Sequence, residues 1–395
     1  MRVLHTSDWH LGRTLETWPL VEHQSAFLTW LAQLCRERQI EAILVSGDIY
    51  DRAVPSVEAV QLLEEALASL VRICPIVLIS GNHDSAVRLG FGGTLLESVN
   101  VHFRSSVADI ARPIHLTGAD GTSVLISGVP YLEPQLVRGL LACDKSHAAV
   151  LTAAMDLVRA DLAERSADAS STGAGRPRSV VMAHAFITGG QGSDSERDVS
   201  VGGVADAPAS VFDGVDYVAL GHLHGPQEIA GPSTTLLRYS GSPLAYSFSE
   251  EGHLKSVAIL DIAMDGPIEV ELVPAPVPRG MRTITGDLVD LLSDPELAEA
   301  ETFWIRAIVT DAVRPEHAME RLRRRFPHAI AMDLQPHRDG MPLVEVERRV
   351  DPRQASPVEV VAAFVEHVTY QPATQAVCEV AQEAVERVRV SEAVA

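Results

Sequence analysis

The sequence predicts an α/β protein of two packed sheets with helices outside them, then a small α+β module and a helical tail. Three observations predict this. Through Val273, short β-branched runs alternate with helical patterns. Within that stretch, from Leu236, the pattern becomes strand, loop, strand, closer to a meander. The segment "VPAPVPRG" (273–280) then sets proline at alternate positions, as boundary linkers do, and a different pattern follows it.

In chain order, the strands are "RVLHTSD", "EAILVSGD", "PIVLISG", "SVLISGVP", "SVVMAHAF" and "DYVALGH". Each is an apolar, mostly branched run bounded by turn formers. Between them, residues 19–38 and 55–72 carry apolar side chains at helical spacing, and Pro55-Ser56 marks the second helix start. "RSADASSTGAGRPRS" (165–179) has no periodicity and is expected to be a flexible surface loop. Beyond the linker come "MRTITG", a helix-like stretch, the strand "FWIRAIVT" and the basic helix "PEHAMERLRRRF". The tail opens with "SPVE", a capping box in which Glu359 reaches back to Ser356 and Pro357 takes the first helical position. Val358, Val361, Phe364 (or Val365) and Val368 form an apolar stripe, and "ATQAVCEVAQEAVERVRV" is a second amphipathic helix. Both faces suit packing on the chain's own core or docking a partner.

A 46% hydrophobic content with 5% aromatics fits an ordinary globular protein. No apolar run is long enough to cross a bilayer, and "MRVLHTSDWH" turns polar too early for a signal peptide, so the cytoplasm is the expected location. Cys35, Cys74, Cys143 and Cys378 have no metal-ligand spacing and read as unpaired thiols. The formal charge of −21 argues against tight, sequence-independent DNA binding by this chain alone. It does not exclude phosphodiester chemistry, because binding answers to local potential and to bound cations. Neither Lys145 nor Lys255 lies in a P-loop, so any ATP must be bound by another chain.

The carboxyl ends of strands are where an α/β sheet presents its chemistry. "SDWHLG" ends the first strand, and an extended backbone there would aim Asp8 and His10 one way and Trp9 the other. "VSGDIYDR" offers Asp48 after Gly47, "GNHD" offers Asn82 and His83, His184 closes "SVVMAHAF", and "GHLH" offers His222 and His224, expected to aim together with Leu223 turned to the core. Read alone, each is a common turn or a satisfied core histidine. In series they supply carboxylates, an amide oxygen and imidazoles enough for two metal ions, with Asp48 able to bridge. A set without thiolate that mixes hard oxygen with imidazole favours Mn²⁺ or Fe²⁺, with Zn²⁺ possible.

This order of motifs resembles the binuclear metallophosphoesterase superfamily. "HTSDWHLGRTL", "SGDIYDRAVPS", "GGQGSDSERDVSVGG", "VDYVALGHLHGPQ" and "YSGSPLAYSFSE" resemble, within it, the DNA double-strand-break repair nucleases that serve as nuclease subunits (SbcD) of bacterial SbcCD complexes. The resemblance implies a four-layer α-β-β-α sandwich of two mixed sheets in residues 1–274. It further implies a small α+β cap that contacts DNA in 275–345, and a helical tail that binds the ATPase partner in 346–395. Carried over by residue, it makes Asp8, His10, Asp48 and His224 the ligands of one metal and Asp48, Asn82, His184 and His222 those of the other. His83 would be the catalytic histidine, Asp51 the residue orienting it, and Arg52 a phosphate contact or simply a surface arginine. Arg321, Arg323, Arg324 and Arg325 are candidate DNA contacts or a solvated basic face. The implied activity is ATP-dependent 3′–5′ exonuclease action on duplex ends and endonuclease action on hairpins and single strands, in break processing and palindrome cleavage. The implied assembly is a heterotetramer of two nuclease chains, themselves a homodimer, with two SbcC-type ATPase chains on DNA, and no membrane. It would be cytoplasmic and act at the nucleoid. A small-molecule (cyclic nucleotide) phosphodiesterase using the same metals, or a catalytically silent scaffold, are the alternatives.

Overall fold

The computed structural model describes residues 1–171, 175–199, 206–231, 234–336, 355–369 and 372–394. The chain forms two compact units, Met1–Arg282 and Thr283–Ala395.

In the first unit, alternate residues of each strand feed two different cores, which is what stacks the layers. One sheet runs in the order Glu269–Pro274, Ser256–Asp261, Arg2–Thr6, Ala42–Ser46, Ile76–Ile79, Val101–Arg104. The last four strands are mutually parallel, and Ser256–Asp261 is antiparallel to both of its neighbours. Leu4, Ile43, Val45, Ile76 and Leu78 face outward onto Phe27 and Leu31 of the helix Val21–Glu37 and Leu62 and Leu63 of Val57–Leu70. Val3, Leu44, Val77 and Ile79 face inward, against Val180, Met182, Tyr217 and Ala219 of the second sheet. That sheet runs Gln227–Ile229, Leu236–Tyr239, Tyr217–Gly221, Arg178–His184, Ser123–Val129, Ile114–Thr117. Its other face, through Val181, Ala183, Val218 and Leu220, packs on Val150, Ala154 and Val158 of the helix His147–Ser171. The result is the expected sandwich of two mixed sheets between helical layers. Each fully buried Leu, Ile or Val contributes roughly 1.5–3 kcal/mol relative to exposure.

Polar groups also join the sheets, at the ends of their parallel strands. Ser46 Oγ donates to the Ala219 carbonyl at 2.9 Å, and His184 Nδ1 donates to the Ser46 carbonyl at 2.9 Å. Deeper in, His5 bridges the Tyr217 hydroxyl and the Leu220 carbonyl, each at 3.1 Å. Gly221 is required at this seam: a Cβ there would stand 1.8 Å from the Ser46 oxygen.

Three local expectations differ from the structure. Arg165–Ser171, expected in a flexible loop, forms the last turns of the helix His147–Ser171, where Arg165 pairs with Asp161 at 2.7 Å. Its Ala, Asp, Glu and Ser residues tolerate helix without an apolar face, so a missing period was a poor guide. Arg178 and Ser179 already belong to the next strand, and residues 172–174 lie outside the described set. The linker, too, is shorter than read, since Val273 and Pro274 still pair with Val257 and Ser256.

The strand Met281–Gly286, whose last four residues open the second unit, forms a three-stranded sheet with Trp304–Val309 and Ala329–Leu334, accompanied by the helices Leu288–Ser293 and Ala318–Arg325. The third strand was not anticipated. Ile305, Ala307, Val309, Leu322 and Phe326 are its core. Further along, Ser356 N donates to Glu359 at 2.7 Å and Glu359 N to Ser356 Oγ at 3.2 Å, the reciprocal cap expected for Pro357–Thr369. This helix packs on Gln375–Val394. Residues 337–354, which include parts of the expected cap and tail, lie outside the described residues. Among the described residues no helix is long and apolar enough to cross a membrane.

Candidate metal centre

The residues that leave the strand ends are not extended. Asp8 (φ 54°), His10 (φ 44°), Asp48 (φ 48°) and His222 (φ 109°) all have positive φ. The reading that an extended backbone aims Asp8 and His10 together is therefore corrected: left-handed turns aim them. Such conformations cost roughly 1–3 kcal/mol each and persist only where surroundings enforce them. Here the enforcement is a set of main-chain bonds. Asp8 N donates to Gly47 O at 3.0 Å, His10 N to Asp48 O at 2.9 Å, and Leu11 N to Ile49 O at 2.9 Å. His222 N donates to Asp8 Oδ1 at 3.1 Å, and His83 N to Asp48 Oδ1 at 2.9 Å. Gly47, at φ 90°, leaves room for the His184 ring, which a Cβ would meet at 2.3 Å.

These loops bring ligating atoms into three overlapping groups, each with its atoms within 4.8 Å of one another: Asp8, His10 and His224; His10, Asp48 and His83; Asp8, Asp48 and His184. Asp48 Oδ2 stands between them, 3.7 Å from His10 Nε2 and 3.5 Å from His184 Nε2. Asn82 and His222 complete the gathering, since Asn82 Oδ1 lies 2.9 Å from His184 Nε2 and 3.1 Å from His222 Nδ1. His222 and His224 do not aim at one point: the first faces Asn82, the second faces His10. Leu223 between them is buried in the core, as expected.

The site fits two divalent cations. His10 Nε2 and His224 Nε2 face each other at 3.0 Å, an arrangement in which at most one nitrogen can hold the proton between them. His10 Nδ1 is buried without a hydrogen-bond partner. Oxygen and imidazole donors without thiolate suit such ions.

Electrostatics agree with a site built for added positive charge. Burial pushes the Asp8 carboxyl up to about 6. Burial would also raise Asp48, yet His184 and the other imidazoles hold it well below the carboxylate range. His184 is opposed by burial, but the Asp48 carboxylate raises it to about 9. Burial lowers His10 and His83, and takes His222 down to about 3.

Asp51 meets His83 through its main chain, not its carboxylate: His83 Nδ1 lies 2.8 Å from the Asp51 carbonyl oxygen. The Asp51 carboxylate instead pairs with Arg13 at 3.3 Å and Arg52 at 3.5 Å. Arg52 itself is 80% exposed. Of the basic cap residues, Arg323 donates to the Ala329 carbonyl, Arg324 pairs with Glu320, and Arg325 bonds Glu301 and the Leu291 carbonyl. Those contacts serve their own unit.

Sequence reasoning missed the residues that hold the ligands. Asp84 accepts from the main-chain N–H of Gly81, Ile49 and Tyr50, stapling two ligand loops together. Tyr246 sets its ring edge-on to His10 and His224, with Arg13 over it at 4.9 Å. Ser195, Glu196, Glu250 and Lys255 surround His224. A usable signal was that Lys255, one of only two lysines, follows "YSFSE" directly ahead of the apolar run "SVAIL".

The profile of the calcineurin-like phosphoesterases matches residues 1–226, and that of the type 5 capsule protein repressor C-terminal domain matches residues 277–369. The SbcD nuclease of the Staphylococcus epidermidis SbcCD complex is 31% identical over 356 residues, covering 89% of this chain and 90% of that one. Among solved structures, a Thermus thermophilus protein is 14% identical with a TM-score of 0.41, covering 69% of this chain and 98% of that one. A dimetal phosphatase from Danio rerio is 12% identical with a TM-score of 0.40, covering 70% of this chain and 99% of that one. With its strand-end motifs gathered in space, its first unit matched by the profile and its length spanned by the staphylococcal relative, the chain belongs to the calcineurin-like phosphoesterase family, in the SbcD branch.

Proposed function

We propose that this chain is the nuclease subunit of an SbcCD-type complex and hydrolyses DNA phosphodiester bonds. The observation that carries the reading is the convergence of Asp, Asn and His side chains from five separate strand ends onto one buried centre. Asp8, His10, Asp48 and His224 would hold one divalent cation, and Asp48, Asn82, His184 and His222 the other, Mn²⁺ being favoured and Fe²⁺ or Zn²⁺ possible. Two such ions supply Lewis acidity toward a phosphate and ionise a water for in-line attack.

The chain's own residues do the rest. Asp48, whose Oδ2 lies between the two ligand groups, would contribute to both. His83 presents Nε2 because the Asp51 carbonyl, which can only accept, takes the Nδ1 proton. With a second proton on Nε2, the imidazolium would stabilise charge on the reacting phosphate or give that proton to the leaving ribose oxygen. Asp51 thus positions His83 through its carbonyl. Arg52, exposed beside it, would exchange its Asp51 carboxylate partner for a neighbouring phosphate.

An SbcC-type ATPase would supply ATP hydrolysis and extra DNA-binding surface to a chain whose formal charge is −21. The helices of the tail are its docking element: Phe364 is 64% and Val380 68% exposed. A homodimer of nuclease chains is supported by Val87, Phe91 and Leu95, all exposed just after the GNHD loop. In the full assembly the activities are ATP-dependent 3′–5′ exonuclease action on duplex ends and endonuclease action on hairpins and single strands.

The test is Mn²⁺ and an end-labelled DNA hairpin, alone and with the ATPase partner and ATP, with His83→Gln as control. Cleavage by the parent and a loss of about 100-fold or more in His83→Gln, with metal content unchanged, is expected. A parent that cuts no DNA in either condition, yet hydrolyses cyclic nucleotides, would overturn the proposal.

A further inference from the structure

The surroundings of His224 contain a polar chain that the reaction does not use directly. Glu250 and Lys255 are an ion pair whose side chains are 0% and 1% exposed. Lys255 Nζ also donates to the His224 carbonyl and to Ser242 Oγ, each at 3.0 Å. Glu250 Oε1 accepts from Ser195 Oγ at 2.5 Å and from Tyr246 N at 3.1 Å. Ser195 Oγ in turn lies 2.5 Å from His224 Nδ1. Burying a charge pair this fully is costly, and a hydrophobic pair of similar volume is often no less stable, so stability alone does not account for it.

The direction of each bond in this chain is forced. An ammonium only donates and a carboxylate only accepts. Lys255 therefore holds Glu250 as an acceptor, and the Ser195 hydroxyl donates its hydrogen bond to Glu250. The Ser195 oxygen is left with lone pairs toward His224, so His224 must carry its proton on Nδ1. In the neutral ring Nε2 is then bare, and Nε2 is the nitrogen that faces His10 across 3.0 Å. We propose that Lys255, Glu250 and Ser195 form a polarity relay that fixes His224 in its metal-ready tautomer, making all three positioning residues. The inference rests on the metal-centre reading above. It also gives the segment "GSDSER" a role. Glu196 Oε1 accepts the His224 main-chain N–H at 2.8 Å while Ser195 holds the ring, so one loop clamps both ends of the ligand.

The test uses the full chain. Ser195→Ala removes only the hydroxyl, Ser195→Thr keeps it, and Glu250→Gln with Lys255→Met removes both buried charges together. Mn²⁺ binding by calorimetry should show one of the two ions weakened about 10- to 100-fold in Ser195→Ala and in the double variant, with Ser195→Thr near the parent. Histidine-selective ¹⁵N spectra of the metal-free chain should show His224 as the Nδ1–H tautomer in the parent and a mixture in Ser195→Ala. Unchanged Mn²⁺ affinity and an unchanged tautomer in Ser195→Ala would overturn the relay. So would a fall in metal-free stability with no selective loss at one ion. A parent that binds no Mn²⁺ would overturn the metal-centre reading instead, and the metal-free spectra would still decide the relay.

Discussion

Asp84 shows how a residue can matter to a site it does not enter. Its carboxylate accepts three main-chain hydrogen bonds, at 2.9 Å from Gly81, 3.1 Å from Ile49 and 2.9 Å from Tyr50. Burial and the nearby Asp48 charge push its carboxyl up to about 7 against those donors, so geometry holds it where electrostatics alone would not. Asp84→Ala leaves buried N–H groups unpaired, a loss on the order of 3 kcal/mol. Thermal unfolding should fall by roughly 6–12 °C for a unit of this size, and a change under 2 °C would refute the staple. At this scale the sequence was half legible. The candidate ligands could be read because strand ends announce themselves within a few residues. Asp84, Glu250 and Ser195 could not, because the bonds that tie them to Ile49, His224 and His224 span 35, 26 and 29 residues and only the fold makes them. Asp51 does stand beside His83 but meets it through an atom that was not anticipated, since a main-chain carbonyl carries no signature in a residue's identity.

Among elements, strands and helices were legible because their two periods feed two faces, as Val3 and Leu4 do in adjacent cores. Backbone sign was not: nothing local says that Asp8, His10, Asp48 and His222 adopt positive φ. These turns pack charge densely, and that gives a proton signature. His184, raised to about 9 from 6.5, stabilises the metal-free fold most below pH 6.5, and that contribution is lost as pH rises through 9. Asp8, raised to about 6 from 3.8, acts in the same direction at lower pH, its contribution lost as pH rises through 6. Asp48, held low, acts oppositely and loses its contribution only in strong acid. Metal must displace the His184 proton, so Mn²⁺ affinity should climb from pH 6 toward 9. Calorimetry at pH 7 in two buffers of different ionisation enthalpy should report about one proton released from this histidine. None released would contradict the assignment.

For the whole molecule, two units imply two separate unfolding events. The candidate ligands all lie in Met1–Arg282, so metal should protect that unit alone. At 100 times its dissociation constant, Mn²⁺ adds about 2.7 kcal/mol, or roughly 5–10 °C. Scanning calorimetry should show one transition that chelator lowers and one that it leaves in place; two equal shifts would mean that the units unfold together. The sheet order carries one more consequence, and it concerns time. Arg2–Thr6, which is made before either of its sheet neighbours, lies between Ala42–Ser46 and Ser256–Asp261. At about 5–20 residues per second, its second neighbour arrives on the order of tens of seconds later. Through that interval the nascent chain shows an open strand edge, a template for mispairing. A chaperone's protection should therefore be needed most before residue 261 is made, and least after it.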